Sequence, residues 1–207
     1  MVPAGLSWHP GEPMKRQSIP FTALILFLFI SYIPTVKGAS ETPRQVVEEF
    51  QASLLAVMQK AKSLGVKGRY ARLAPAIERA FDLSLMARIS IGSYWNQTTR
   101  DQRTNLVSAF NRTSISALAT MVTGYSGEYF ETIGEGPSQQ SVYSVKTRII
   151  DPDGSHVAIT YIAKRYSNGW FLVDVVVDDG ISELEVRRSE YRLLLENKGI
   201  DGLIRAL

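Results

Sequence analysis

The chain has 207 residues, 45% hydrophobic and 21% charged, with 23 basic and 20 acidic side chains and no cysteine. That length and balance suit one globular domain of ordinary size with room for an extra segment. The missing cysteine excludes disulfides, thiolate metal sites and a cysteine nucleophile. No block of Lys and Arg stands out of the mixed charges, so nothing in the composition points to nucleic acid.

The N-terminus carries an export pattern. Met14-Lys15-Arg16 precedes an apolar run from Phe21 to Ile33, and Val36 and Gly38 are small residues at the spacing a signal peptidase reads. The run is short for a membrane span, which takes roughly 18 or more apolar residues. Residues 1–38 are therefore expected to be an N-terminal extension and signal peptide, cleaved before Ala39 and leaving the protein in the periplasm. An uncleaved anchor is the alternative, and Met14 is an alternative start. The segment holds Lys15, Arg16 and Lys37 against Glu12, so the processed chain is close to neutral. No cysteine follows the run, which excludes a bacterial lipoprotein.

Residues 39–207 are expected to form one domain, helical over about 41–124, sheet over about 127–179 and helical again over 181–207. The first helix opens with a Thr42/Gln45 capping box and Pro43 in its first turn, carries Val47, Phe50, Leu54, Val57, Met58 and Ala61 on one face, and stops at Gly65. A second helical stretch, from about Arg69 to Ile91, breaks at Phe81-Asp82-Leu83, where Asp82 or Ser84 is placed to cap a new turn. After Trp95, Thr99 and Gln102 make another capping box, and Leu106, Val107, Phe110, Ala117, Leu118, Met121 and Val122 recur three or four apart up to Gly124.

The pattern then changes to period two. Strands are predicted over Glu128–Ile133, Val142–Ile150, Val157–Tyr166 and Trp170–Val177, with turns at Asp151-Pro152-Asp153-Gly154 and Ser167-Asn168-Gly169. In the last strand Phe171, Val173, Val175 and Val177 share one face, while Trp170, Leu172 and Val176 make the other apolar too, a pattern expected of a strand covered on both sides. Ser182 and Glu185 open the next helix, and a short helix from Ile200 ends the chain. The order gives an α+β fold with a four-stranded antiparallel meander covered by N- and C-terminal helices.

Common catalytic chemistry is hard to assemble from these residues. His156 is the one histidine outside the N-terminal extension, so neither a histidine-based triad nor a histidine metal site is available. Gly124-Tyr125-Ser126-Gly127 lacks the second glycine of a nucleophile elbow, because Glu128 stands there. Gly134-Glu135-Gly136 lacks the third glycine of a dinucleotide loop. Asp174, set in an apolar strand, is the notable acid: unpaired it would be costly, so it is either a general acid or base or, as the residues favour, a structural carboxylate paired with an Arg or with backbone N–H groups.

Three sets of residues, spread in order over roughly 81–207, resemble the MlaC (toluene-tolerance) family of periplasmic phospholipid-binding proteins. They are Thr99-Arg100-Asp101-Gln102-Arg103 with Phe110 and Tyr125-Ser126-Gly127; Thr147-Arg148-Ile149-Ile150-Asp151-Pro152-Asp153-Gly154; and Gly169-Trp170, Asp174 to Val177, Gly180-Ile181-Ser182, Arg187 to Tyr191 and Gly199 to Ile204. Leu64 to Tyr70, Leu73-Ala74-Pro75 and Gly180 to Leu184 are similar to the hopanoid-associated HpnM branch. Glu128-Tyr129-Phe130 through Gln139-Gln140, rich in Gly, Ser and Gln, departs from the family and reads as a link.

The resemblance implies an NTF2-like curved sheet enclosing an apolar pocket for a membrane lipid, a phospholipid or a hopanoid. It implies no cofactor, no metal and no catalytic residue. It also implies exchange of the lipid with an inner-membrane transporter and an outer-membrane acceptor. Strand alternation and the resemblance together place the pocket lining at Phe81, Met86, Trp95, Phe110, Met121, Tyr125, Val145, Tyr161, Phe171, Val173 and Val175, the opposite sheet face being the alternative. An envelope adaptor with a filled core is the rival reading, and an NTF2-like hydrolase a third; a cavity of several hundred Å³, the range of ligand sites, would separate carrier from adaptor.

Overall fold

The structure, a computed structural model, describes residues 42–139, 142–178 and 180–207. The expected signal peptide and its cleavage site lie outside these residues. Among the described residues no helix is long and apolar enough to cross a membrane.

The helices begin where the caps require. Thr42 accepts the Gln45 N–H at 3.2 Å and the Gln45 side chain accepts the Thr42 N–H at 3.0 Å, opening α1 (Pro43–Met58). The chain turns at Gln59-Lys60, earlier than Gly65, and α2 (Ala61–Ala80) carries a kink at Gly65, whose φ of +58° suits glycine. Arg69 fastens this kinked helix to the next layer. It is buried, and its guanidinium donates to the carbonyls of Ala61 and Ala119 at 2.9 and 2.7 Å. The second of these lies in the last turn of a helix, where a cation is favoured.

Asp82 caps α3 (Leu83–Ile91) by accepting the Leu85 N–H at 2.9 Å, and also accepts the Tyr166 hydroxyl at 2.5 Å. A short 3-10 turn, Gly92–Gln97, leads to α4 (Arg100–Met121), which opens with the Thr99/Gln102 capping box. After the sheet, Ser182 caps α5 (Glu183–Ala206) through the Glu185 N–H. A kink at Gly199, φ +62°, makes the last turns of α5 the separate short helix expected from Ile200. Those turns are tied to α4 by Gln102 donating to Asp201 and by Thr113 donating to the Leu207 carbonyl.

The sheet has five antiparallel strands in sequential order rather than four: β1 (Tyr129–Gln139), β2 (Val142–Ile150), β3 (His156–Tyr166), β4 (Gly169–Val177) and β5 (Ile181–Ser182). β5 is the added strand, and β1 runs further than the expected Glu128–Ile133. The stretch 134–139, the latter part of the segment read as a link, is the second half of β1, paired with Val142 to Lys146 after a register shift near Ile133. The two residues of β5 pair with Val176 and Val177, too few to show any alternation. On β4 Leu172 and Val173 are buried, the other residues are half-buried and none is exposed, so both faces of the strand are partly covered.

Register defines the inner face. Val145 opposes Tyr161, Tyr161 opposes Val175, and Thr147 opposes Ile159. α1 lies over this face: Gln51 donates to Thr147 at 3.0 Å, and the Phe50 ring meets Tyr161 edge-on at 6.2 Å. The core runs from Val47, Leu73 and Leu106 through Phe110 and Ile115 to Leu172 and Leu203, all under 2% exposed.

Candidate functional site

Between the inner face of the sheet and the helices lies a chamber of about 830 Å³. α1 contributes Phe50, Leu54 and Met58, one residue per turn at the i, i+4, i+8 spacing. α4 contributes Phe110, Leu118 and Met121, and the segment 81–86 contributes Phe81, Leu83 and Met86. From the sheet come Phe130, Ile149, Ile159, Tyr161, Val175 and Val177. These strand residues share one face because the pleat repeats every two residues and cross-strand partners point the same way.

The chamber is graded from dry to wet. Phe110, Tyr161, Phe50 and Leu83 are 1–6% exposed and form its inner end. At the other end Met121 is 71% and Tyr125 41% exposed, and Ser126, Glu128, Glu183 and Arg187 stand on the wall. Leu54, Met58, Leu118, Ile159 and Val175 point inward yet remain half-exposed, as expected of a hollow interior rather than a close-packed one.

Polar groups at the inner end are engaged with one another. The Gln51 amide is hydrogen-bonded to the Tyr161 hydroxyl and donates to Thr147, whose own hydroxyl donates to the Ile159 carbonyl at 3.0 Å. Burial raises the Tyr161 pKa to about 12, a hydrogen bond from Gln51 opposing it. At the mouth the Glu128 carboxylate accepts the Ser126 and Gly127 N–H groups at 2.6 and 3.1 Å, and these bonds hold it below the usual carboxylate range. Arg187 is the one cation on the wall among the described residues. Its side chain is 22% exposed, makes a long 3.8 Å ion pair with Glu190 and hydrogen-bonds Tyr191, whose pKa burial raises.

Of the residues expected to line a pocket, Phe81, Met86, Phe110, Met121, Tyr125, Tyr161 and Val175 stand on the chamber wall, and Trp95, Val145, Phe171 and Val173 do not. A bulge explains two of the four. Ile162 opposes Asp174 but Ala163 opposes Leu172, so Val173 is the extra residue and the alternation of β4 shifts phase there. Phe171 is therefore on the face opposite Val175, edge-on to Tyr166 at 5.7 Å. Val145 does face inward but is fully buried, and Trp95 is held in the 3-10 turn under the Arg103 guanidinium, 5.0 Å from the ring centre. Arg187 and the Phe50-Leu54-Met58 stripe were not among the expected lining residues; the stripe was visible as an apolar helix face.

The acid singled out by its setting has a structural role. Asp174 accepts the Ser182 hydroxyl at 2.6 Å and the Val175 and Leu184 N–H groups at 2.8 and 3.2 Å. It thus satisfies the first turn of α5, the job of a capping carboxylate. His156 is exposed at the start of β3, and no group of three or more His, Cys, Asp or Glu side chains suited to a metal exists among the described residues.

Comparison with solved structures finds a protein from Ralstonia solanacearum described as a phospholipid-binding protein in complex with a phospholipid. The match has a TM-score of 0.63 at 18% identity and covers 78% of this chain and 90% of that one, a likeness of fold. The family model of the MlaC protein matches residues 48–207, which include all the helices and strands except the first turns of α1. The chain belongs to the MlaC family.

Proposed function

We propose that this protein is a non-enzymatic carrier that holds the hydrocarbon of a membrane lipid in the chamber and moves it through the periplasm between inner and outer membranes. The observation that carries the reading is the chamber itself: about 830 Å³, walled by apolar side chains from the helices and from strands β1 to β4, and open at a mouth where Met121 is 71% exposed. A filled-core adaptor has no use for inward-facing side chains left half-exposed, and the acid that a hydrolase would need, Asp174, is occupied with α5.

Transfer energetics set the task. At about 0.8 kcal/mol per CH₂, a lipid with some 30 methylenes costs roughly 24 kcal/mol to expose to water. A pocket must offset nearly all of that, yet bind no more tightly than a bilayer does, or release stops. Apolar walls with few fixed polar contacts meet both conditions. Arg187 at the mouth supplies a charge for an anionic headgroup, as Arg does for phosphates elsewhere.

A diacyl phospholipid is the favoured ligand, supported by the phospholipid complex of the structural neighbour. A hopanoid is the second reading, supported by the HpnM-like residues Leu64 to Tyr70 and Gly180 to Leu184. The export pattern around Phe21 to Ile33 supports a periplasmic carrier, with an inner-membrane transporter and an outer-membrane acceptor as its exchange partners. Transfer of a labelled phospholipid from donor to acceptor vesicles tests the reading. A rate that rises with protein concentration supports it; a rate equal to that without protein, for phospholipid and hopanoid alike, refutes it.

A further inference from the structure

A second, smaller hollow of about 670 Å³ lies between α1, α2 and the β3–β4 turn. Its wall includes Ala52, Ala56, Ala76 and Ala80, whose short side chains leave the space open, together with Trp170 and Phe171; the exposed Glu49, Glu78, Arg79 and Asn168 line its solvent side. α1 is a wall of both spaces. Leu54 and Met58 face the chamber, Val46, Ser53 and Ala56 face the hollow, and Phe50 faces both. Phe50 is 6% exposed and is fixed between two other rings, edge-on to Phe81 at 5.1 Å and to Tyr161 at 6.2 Å.

We propose that Phe50 is the end wall of the chamber and sets the longest hydrocarbon chain the protein accepts, the hollow beyond it being the room a longer chain would need. The inference rests on the carrier reading and goes further in naming the residue that determines chain-length selectivity. A chain entering at Met121 and Tyr125 runs toward the inner end and meets the aromatic trio there. A rigid ring held by two edge-on neighbours does not yield as a Met or Leu would. Each methylene left outside a chamber already full forfeits its burial, which lowers occupancy about fourfold relative to a lipid that fits.

The test offers the protein vesicles of phosphatidylethanolamines of graded acyl length and reads the bound species by native mass spectrometry. The wild type is expected to show a sharp upper limit of length. Phe50→Ala, or Phe50→Leu if the alanine variant does not fold, should extend that limit, each added methylene recovering part of its fourfold loss. Adding Ala56→Trp, which fills the hollow from an exposed position, should restore the original limit. Ala56→Trp alone should leave the wild-type limit where it is. The proposal is overturned if the folded Phe50 variants keep the wild-type distribution, or if Ala56→Trp alone shortens the longest bound chain, since Phe50 would then not be closing the chamber. Absence of bound lipid in the wild type would instead refute the carrier reading.

Discussion

Replacing Tyr161 by Phe separates what the inner end of the chamber does for the fold from what it does for a ligand. The Tyr161 hydroxyl is buried against the Gln51 amide, and Gln51 and Thr147 are 4% and 1% exposed, so no water replaces a lost partner. Leaving one buried amide group unpaired costs about 1–3 kcal/mol, or roughly 2–12 °C in melting temperature for a chain of this size. The effect should depend on pH with a definite sign. A free tyrosine ionises near pH 10, whereas burial raises Tyr161 to about 12. The unfolded chain therefore releases its proton first. The stability tied to this group is fully present below about pH 10 and is lost as the pH climbs toward 12, by about 1.4 kcal/mol for each pH unit crossed between the two values. The phenylalanine variant has no such loss. Tyr166, also raised to about 12 by burial and Asp82, is present in both proteins and cancels in the difference. Urea unfolding followed by circular dichroism at a series of pH values should show the wild type ahead at neutral pH and the gap closing above about pH 10. A gap that stays constant to pH 12, or a variant as stable as the wild type at pH 7, would refute the reasoning. Bound lipid should be unchanged, because the hydroxyl is committed to Gln51; its loss at unchanged stability would place the hydroxyl on the ligand.

Other perturbations probe separate parts of the structure. Val175→Trp directs an indole into the chamber from the inner face of β4 and should lower lipid occupancy at least about tenfold, with each excluded methylene contributing about 0.8 kcal/mol; native mass spectrometry reads the loss and circular dichroism checks the fold. Asp174→Ala removes three hydrogen bonds at the start of α5 and should cost about 2–3 kcal/mol, read in urea unfolding, while Asp174→Asn, which keeps an acceptor, should cost less. A hydrolytic role for Asp174 would instead show as lost turnover at unchanged stability. Arg187→Gln should weaken retention of anionic lipids about fivefold to tenfold and leave zwitterionic ones nearly unchanged, since a charge-assisted contact contributes about 1–1.5 kcal/mol more than a neutral one; competition between the two lipid classes measures it.

Capping chemistry was the most legible layer of the sequence. Thr42/Gln45, Asp82, Thr99/Gln102 and Ser182 each begin a helix where their side chains dictate, because a cap is decided by residues within one turn of each other. Strand order and the turns at Asp151 to Gly154 and Asn168-Gly169 were legible for the same reason. The bulge at Val173 was not, because it depends on how β3 and β4 pair, and it moved Phe171 off the face predicted for it. β5 and the second half of β1 were missed because two residues show no period and a Gly-rich stretch carries few side chains to show one. The hollowness of the interior was illegible in principle. Phe50, Leu54 and Met58 make the same stripe whether they meet a filled core or a chamber, and only the half-burial of Leu54 and Met58 tells them apart.

The most direct measurement is identification of what the protein holds when purified gently, without detergent, from a lipid-containing host. Native mass spectrometry followed by extraction should find lipid bound to the wild type, a phospholipid on the favoured reading or a hopanoid on the second, and little on Val175→Trp. Wild-type protein that is folded, free of lipid and unable to take one up from vesicles would contradict a carrier built around this chamber.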